Sequence, residues 1–175
     1  EMDAGQNTWC WKDPRMALFL PFWQELLKER NFLFLISYRN PLSVADSLKT
    51  RDNIPTITAT ALWEIYTLKI FEALKRSDVC FFAQYEKLID KPDELTKSIF
   101  EFLNTQLNDE KSKSFLVQMR SAIKPGLKHS LPNPQISIDK QQNELFTLLQ
   151  QEKILELKRP FLQARLNYAL EITNL

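Results

Sequence analysis

Arg39 and Ser47 stand eight residues apart, with Asn40-Pro41 directly after the arginine. The residue types suit one chemistry: a guanidinium binds two oxygens of a phosphate and a hydroxyl binds a third. The two converge if Arg39 closes a strand and Ser47 sits on the second turn of the next helix. Two more residues fall at or just beyond the ends of predicted strands. Lys12 is an ammonium ahead of Asp13-Pro14-Arg15, and Tyr85 is an aromatic face ahead of Glu86. In open α/β sheets ligands bind outside the carboxyl ends of strands, so Lys12, Arg39 and Tyr85 group together on position alone. Each has a plainer reading as well. Arg39 would pair with Asp46 or Asp52, and Ser47 would bond back to the Ser43 carbonyl. Lys12 would be an exposed lysine, and Tyr85 a core-edge aromatic. Asp13 and Arg15 read as a local ion pair that holds the turn, since Pro14 fixes the backbone between them. Glu86 reads as a structural bond or helix contact rather than an acid or base.

The elements that must position these residues follow from periodicity. The unbroken apolar run Phe32-Leu33-Phe34-Leu35-Ile36 predicts a buried strand over Phe32–Ser37. A second run predicts one over Val79–Ala83, and Trp9–Lys12 reads as a short third. Pro41 at a first turn predicts a helix to about Asp52, broken by Asn53-Ile54-Pro55. Helices are expected over Met16–Arg30, where Pro21 places the firm part after itself, over Thr56–Lys75 and over Pro92–Leu103. In the last of these, Leu95, Ile99, Phe102 and Leu103 face the core. Glu110–Met119 reads as a short helix and Ile123–Ile138, with three prolines and one glycine, as a long loop. Asp139–Leu157 and Phe161–Ile172 read as helices divided by Pro160. Strands alternating with helices predict a parallel sheet flanked by helices, with a helical C-terminal third.

Three segments carry a family resemblance. Arg39-x-Pro41-x-x-x-Ala45-x-Ser47 resembles the 3′-phosphate-binding segment of sulfotransferases that use PAPS (3′-phosphoadenosine 5′-phosphosulfate). Trp11-Lys12-Asp13-Pro14-Arg15 resembles the Lys-Asp-Pro segment of tyrosylprotein sulfotransferases and the Trp-Lys-Asp-Pro-Arg of bacterial sulfotransferase-like proteins. Tyr85-Glu86-Lys87-Leu88 resembles the family's Tyr-Glu-x-Leu. Order and spacing match over Trp9 to about Asn104. The resemblance implies a P-loop-type α/β sheet of about five strands, PAPS as donor and no metal. It assigns the 3′-phosphate to Arg39 and Ser47, and the adenine to Tyr85. Lys12 falls to the transferring sulfonyl group, where a fixed cation opposes charge spread over the oxygens. Lys128, in a late loop near Gly126, would meet the 3′-phosphate region. In the family the loop gripping the 5′-phosphosulfate lies upstream of Lys-Asp-Pro, so the chain is expected to be the C-terminal part of a larger domain, its sheet incomplete at the N-terminus.

Bulk properties narrow the alternatives. The 175 residues suffice for one domain with a core. A net charge of +1 carries no electrostatic footprint for nucleic acid. No apolar stretch reaches the ~18 residues a membrane span needs. Two cysteines, Cys10 and Cys80, read as buried, reduced thiols on strands, and with one histidine, His129, make no metal site. Two glycines, Gly5 and Gly126, supply no phosphate-cradling loop. The leading expectation is a cytoplasmic sulfotransferase acting on a hydroxyl of a carbohydrate, peptide or small molecule. A catalytically silent nucleotide-binding module of a larger protein is the second. A kinase-like P-loop protein is the third, and it lacks the Gly-x-x-x-x-Gly-Lys-Ser/Thr signature. Trp23, Trp63 and Arg51–Thr60 are the candidate acceptor surface; general base and oligomeric state stay open.

Overall fold

Asn40 and Pro41 set the central turn of the fold. A residue before proline is driven to extended backbone, and Asn40 sits at φ −52°, ψ 127°. Its side-chain oxygen accepts from the backbone N–H groups of Leu42 (2.9 Å) and Ser43 (3.4 Å), capping the helix that Pro41 opens. That helix ends at Asn53, which takes left-handed backbone (φ 55°) and returns its N–H to the Lys49 carbonyl. The helix thus runs Pro41–Asp52, as its boundary residues predict.

The structure, a computed structural model, describes residues 10–75, 78–107, 137–152 and 159–173. In chain order these form α1 (Met16–Leu26), β1 (Leu33–Tyr38), α2 (Pro41–Asp52), α3 (Thr56–Ala73), β2 (Val79–Gln84), α4 (Tyr85–Asp90), α5 (Pro92–Leu107), α6 (Lys140–Gln150) and α7 (Arg159–Thr173). The two strands are parallel, in register from Leu33 opposite Val79 to Tyr38 opposite Gln84. The fold is therefore mixed α/β, mostly helical, around a small parallel sheet flanked by helices. Among the described residues no helix is long and apolar enough to cross a membrane.

Alternation of side chains divides the core. Phe34, Ile36 and Tyr38 of β1, with Cys80 and Phe82 of β2, pack against α3, α6 and α7. Ala83 and Phe81 face the other way, onto Leu95 and Ile99 of α5. Leu35, paired with Phe81, stays 46% exposed. Three helices also meet at a buried polar cluster. Arg165 of α7 donates to both carboxylate oxygens of Glu64 on α3 (2.6 and 2.8 Å), to Asp139 (3.1 Å) and to the side-chain oxygen of Gln141 (2.9 Å). Gln142 of α6 donates to Glu64 as well (3.1 Å). Asp139 caps α6 in a reciprocal capping box with Gln142. Burial pushes the Glu64 carboxyl up, against the opposing pull of the Arg165 guanidinium.

Several expectations change. Cys10–Asp13 forms no strand, and among the described residues the sheet has two strands rather than three. Cys10 is accordingly exposed instead of buried; Cys80 is half-buried, burial pushing its thiol up to about 11, and both are free. Helix α1 starts at Met16, five residues before Pro21, and ends at Leu26. Pro21 is tolerated there on an exposed face, at the cost of one backbone hydrogen bond. The apolar series Leu18, Phe22 and Leu26 faces outward; the buried residues of α1 are Ala17 and Leu20. Helix α6 ends at Gln150, short of the expected Leu157. The expected helix Glu110–Met119, most of the loop Ile123–Ile138, and Lys128 and His129 within it lie outside the described residues.

Candidate functional site at the paired strand ends

Because Tyr38 and Gln84 form the last pair of the sheet, the next residues, Arg39 and Tyr85, leave it side by side. The Arg39 guanidinium lies over the Tyr85 ring, 4.7 Å from its centroid, a contact of about 0.5–1 kcal/mol at a half-exposed site. One residue on, the Asn40 N–H donates to a Glu86 carboxylate oxygen at 2.9 Å. The Arg39 carbonyl accepts from the indole N–H of Trp63 on α3 at 3.2 Å. The other Glu86 oxygen is buried and has no hydrogen-bond partner among the described residues. Tyr38, just behind this junction, has its hydroxyl pushed up to about 12, by burial first, then by the carboxylates of Glu152 and Glu86.

The junction has a specific electrostatic character. A helix N-terminus ordinarily offers unpaired N–H groups to an anion. Here Pro41 has none, Leu42 and Ser43 donate to the Asn40 side chain, and Val44 donates to the Asn40 carbonyl (3.0 Å). The first turn of α2 is satisfied internally. Positive charge at this point therefore comes from the Arg39 side chain rather than from backbone. Asp52, one plain partner for Arg39, is instead paired with Arg51 at 2.6 Å.

Ser47 is half-buried on α2, on the same face as the buried Ser43 one turn earlier. It lies about 9 Å along the helix axis from Pro41. Among the described residues, Thr50 makes the back-bond to a carbonyl one turn earlier (to Asp46, 2.9 Å), and Ser47 makes none. The structure thus places Arg39 and Tyr85 in contact and Ser47 on the helix that starts beside them.

Lys12 is elsewhere. It is exposed in the irregular stretch before α1, not at a strand end, and no hydrogen bond or ion pair joins it to Arg39, Ser47 or Tyr85 among the described residues. Its neighbours form the expected local pair. Arg15 donates to Asp13 through its backbone N–H (2.9 Å), Nε (3.0 Å) and Nη2 (2.7 Å). That guanidinium holds the Asp13 carboxyl down to about 2.

Tyr85 falls just beyond the end of β2, as expected, where it opens α4, and one face of its ring is taken by Arg39. Trp63, read as acceptor surface, is 7% exposed and serves the junction from the core. Glu86 makes the structural bond expected of it. The role of Trp63 has no local signal, because the bond spans 24 residues and depends on how α3 lies against β1. Beside the junction, Asn40 and Leu42 form one wall of a hollow of about 570 Å³, and Lys140, Asn143, Thr147 and Gln150 of α6 form another. Compared with family models, curated proteins and solved structures, the chain matches none.

Proposed function

We propose that this chain belongs to a PAPS-dependent sulfotransferase of the P-loop type, moving a sulfonyl group to a hydroxyl acceptor. The observation that supports it is the junction of Arg39 and Tyr85 at adjoining ends of two parallel strands, beside the helix that carries Ser47. In this reading the Arg39 guanidinium takes two oxygens of the 3′-phosphate and Ser47 a third. Tyr85 lies against adenine, and Lys128 adds a second cation. The acceptor oxygen bonds to sulfur as the bond from sulfur to the leaving phosphate oxygen breaks, and the acceptor proton passes to a base. Lys12 neutralises charge on the transferring sulfonyl group. The hollow beside Asn40, lined by three amides, two hydroxyls and one ammonium beside the apolar Leu42, Ile138 and Phe146, suits a hydroxylated compound.

One observation favours a second reading, nucleotide binding without catalysis. Lys12 makes no hydrogen bond or ion pair to Arg39 among the described residues, and the hydrogen bonds of its turn run between Asp13, Arg15 and Met16.

Calorimetry on the purified protein tests the shared part of both readings. Adenosine 3′,5′-bisphosphate should bind about ten- to a hundred-fold more tightly than AMP, the worth of a charge-assisted contact set of about 1.5–3 kcal/mol. Arg39→Ala should erase the preference. Equal affinity for the two nucleotides in the parent protein would sink both readings.

A further inference from the structure

The Trp63 and Glu86 bonds converge on a single chemical group. The carbonyl of Arg39 and the N–H of Asn40 belong to the same peptide unit. Its oxygen accepts from Trp63 at 3.2 Å, and its N–H donates to Glu86 at 2.9 Å. A peptide unit is planar and includes the Cα atoms at both ends. Holding its oxygen and hydrogen from opposite sides fixes that plane, and with it one of the two backbone bonds that aim the Arg39 side chain. The other is fixed by the last sheet pair, Tyr38 with Gln84. Neither clamp residue lies on β1 or α2: Trp63 comes from α3 and Glu86 from α4.

We propose that Trp63 and Glu86 are positioning residues that act through the 39–40 peptide to pre-aim the Arg39 guanidinium. The inference rests on the assignment of Arg39 to a 3′-phosphate made above. Two features argue for more than general packing. Peptide 39–40 lies between β1 and α2, outside both elements, and the two side chains supply bonds of the kind that a sheet or helix would. In addition, the second Glu86 oxygen is buried and has no hydrogen-bond partner among the described residues, a costly arrangement retained while the first reaches Asn40. The same loop cannot relax cheaply, because the Asn40 side chain is committed to capping α2. A charge-bearing ligand site held this way needs no reorganisation when the anion arrives.

The test is a set of double-mutant cycles in the purified protein. Trp63→Phe removes the indole N–H and keeps a core ring. Glu86→Leu removes the acceptor and Glu86→Gln keeps it. Trp63→Phe and Glu86→Leu should each weaken adenosine 3′,5′-bisphosphate about tenfold, leave AMP within twofold, and lose their effect in an Arg39→Ala background. Glu86→Gln should recover affinity to within about threefold. Equal losses with and without Arg39, or equal losses on the two nucleotides, would overturn the inference in favour of plain stability, as would full affinity in both variants. A second measurement separates this proposal from the function it rests on. Nitrogen-15 relaxation at Arg39 Nε should report a rigid side chain in the parent and a mobile one in Trp63→Phe and Glu86→Leu, with no nucleotide present. If Arg39→Ala leaves the nucleotide preference intact, the phosphate assignment falls, and the clamp then stands or falls on relaxation alone: equal mobility in all variants overturns it.

Discussion

Two of the short irregular stretches that carry cations, 39–40 and 12–15, are held in opposite ways. The 39–40 peptide is bonded by residues 24 and 46 positions further along the chain. The Lys12–Arg15 stretch is held by its own sequence neighbours: Arg15 to Asp13, and the Met16 N–H to the Asp13 carbonyl at 3.0 Å. Trp11 packs edge-on against Trp23, itself on the next helix, with ring centroids 4.2 Å apart. The contrast teaches where each cation's position comes from. Arg39 is placed by the assembled core and exists as a site only in the folded state. Lys12 is placed by a turn that the local chain can form alone, so its location relative to Arg39 depends on how that whole turn docks. In the proposed function, Arg39 is then the half that binds and the separately held Lys12 turn the half that reacts.

The largest expected effect comes from α3, which supports the junction through Trp63. Glu64 is the next residue, and its bidentate pair with Arg165 is buried at both ends. Removing one partner strands a buried charge. Arg165→Ala should cost about 3–5 kcal/mol in urea unfolding. Replacing both together, Glu64→Leu with Arg165→Met, should cost far less, because an apolar pair of similar volume avoids burying any charge. Similar losses in the single and double variants would mean that packing, not the stranded charge, sets the cost.

Next in size is Lys12, where the comparison is most exposed to failure. If the locally held turn docks on the nucleotide during turnover, Lys12→Ala should lower the rate on an identified acceptor ~10²–10³-fold, by analogy with loss of an oxyanion donor. Binding of adenosine 3′,5′-bisphosphate should be nearly unchanged, since the sulfonyl charge is absent from that product. Full turnover in the variant would return Lys12 to its plainer reading as an exposed lysine.

A smaller effect separates the junction by pH. The Tyr38 hydroxyl holds its proton to about 12 in the folded protein, against about 10 in an unfolded chain. Between these values the unfolded state gives up a proton that the folded state keeps. The contribution is therefore fully present below pH 10 and is lost as pH rises towards 12. The loss should be about 1–2 kcal/mol after allowance for solvent screening, and Tyr38→Phe should flatten that part of the alkaline profile. An unchanged profile would place the ionisation on another residue.

How much of this was legible follows the same division. Where local chemistry decides, sequence reading succeeds. Asn40-Pro41 and Asn53 delimit α2, apolar runs locate β1 and β2 to within a residue, and Asp13-Pro14-Arg15 announces its ion pair. Where the deciding partner is far away, it fails. Glu64 and Arg165 are 101 residues apart, and neither has a neighbour that marks it for burial. The Trp9–Lys12 reading failed for a related reason. Its alternation of aromatic and polar residues fits a strand, but among the described residues no strand pairs with Cys10–Lys12, and Trp11 packs on Trp23 instead. The outward face of α1 is similar: Leu18, Phe22 and Leu26 satisfy helical spacing, yet Ala17 and Leu20 are the buried ones, Phe22 being 58% exposed. Periodicity identifies a helix without saying which side meets the core.

The smallest effect is the sharpest test of the contrast. Asp13 is held down to about 2 by Arg15, a shift that would ordinarily mean stability present above a normal carboxylate pKa and lost as pH falls towards 2. The pair is exposed, however, and its partners are two residues apart across a proline that pre-sets the turn. The same contact is open to the unfolded chain, and an interaction formed equally in both states contributes nothing to the difference between them. Asp13→Asn should therefore leave the thermal midpoint at pH 7 where it was, and should not alter the acid limb of the stability profile. Glu86→Leu, which removes a single bond at the other stretch, should lower the midpoint clearly, because its partner is 46 residues away and meets it only in the folded protein. If Asp13→Asn lowers the midpoint as much as Glu86→Leu does, the Lys12 turn is being held by the fold after all. Its cation would then be as firmly placed as Arg39.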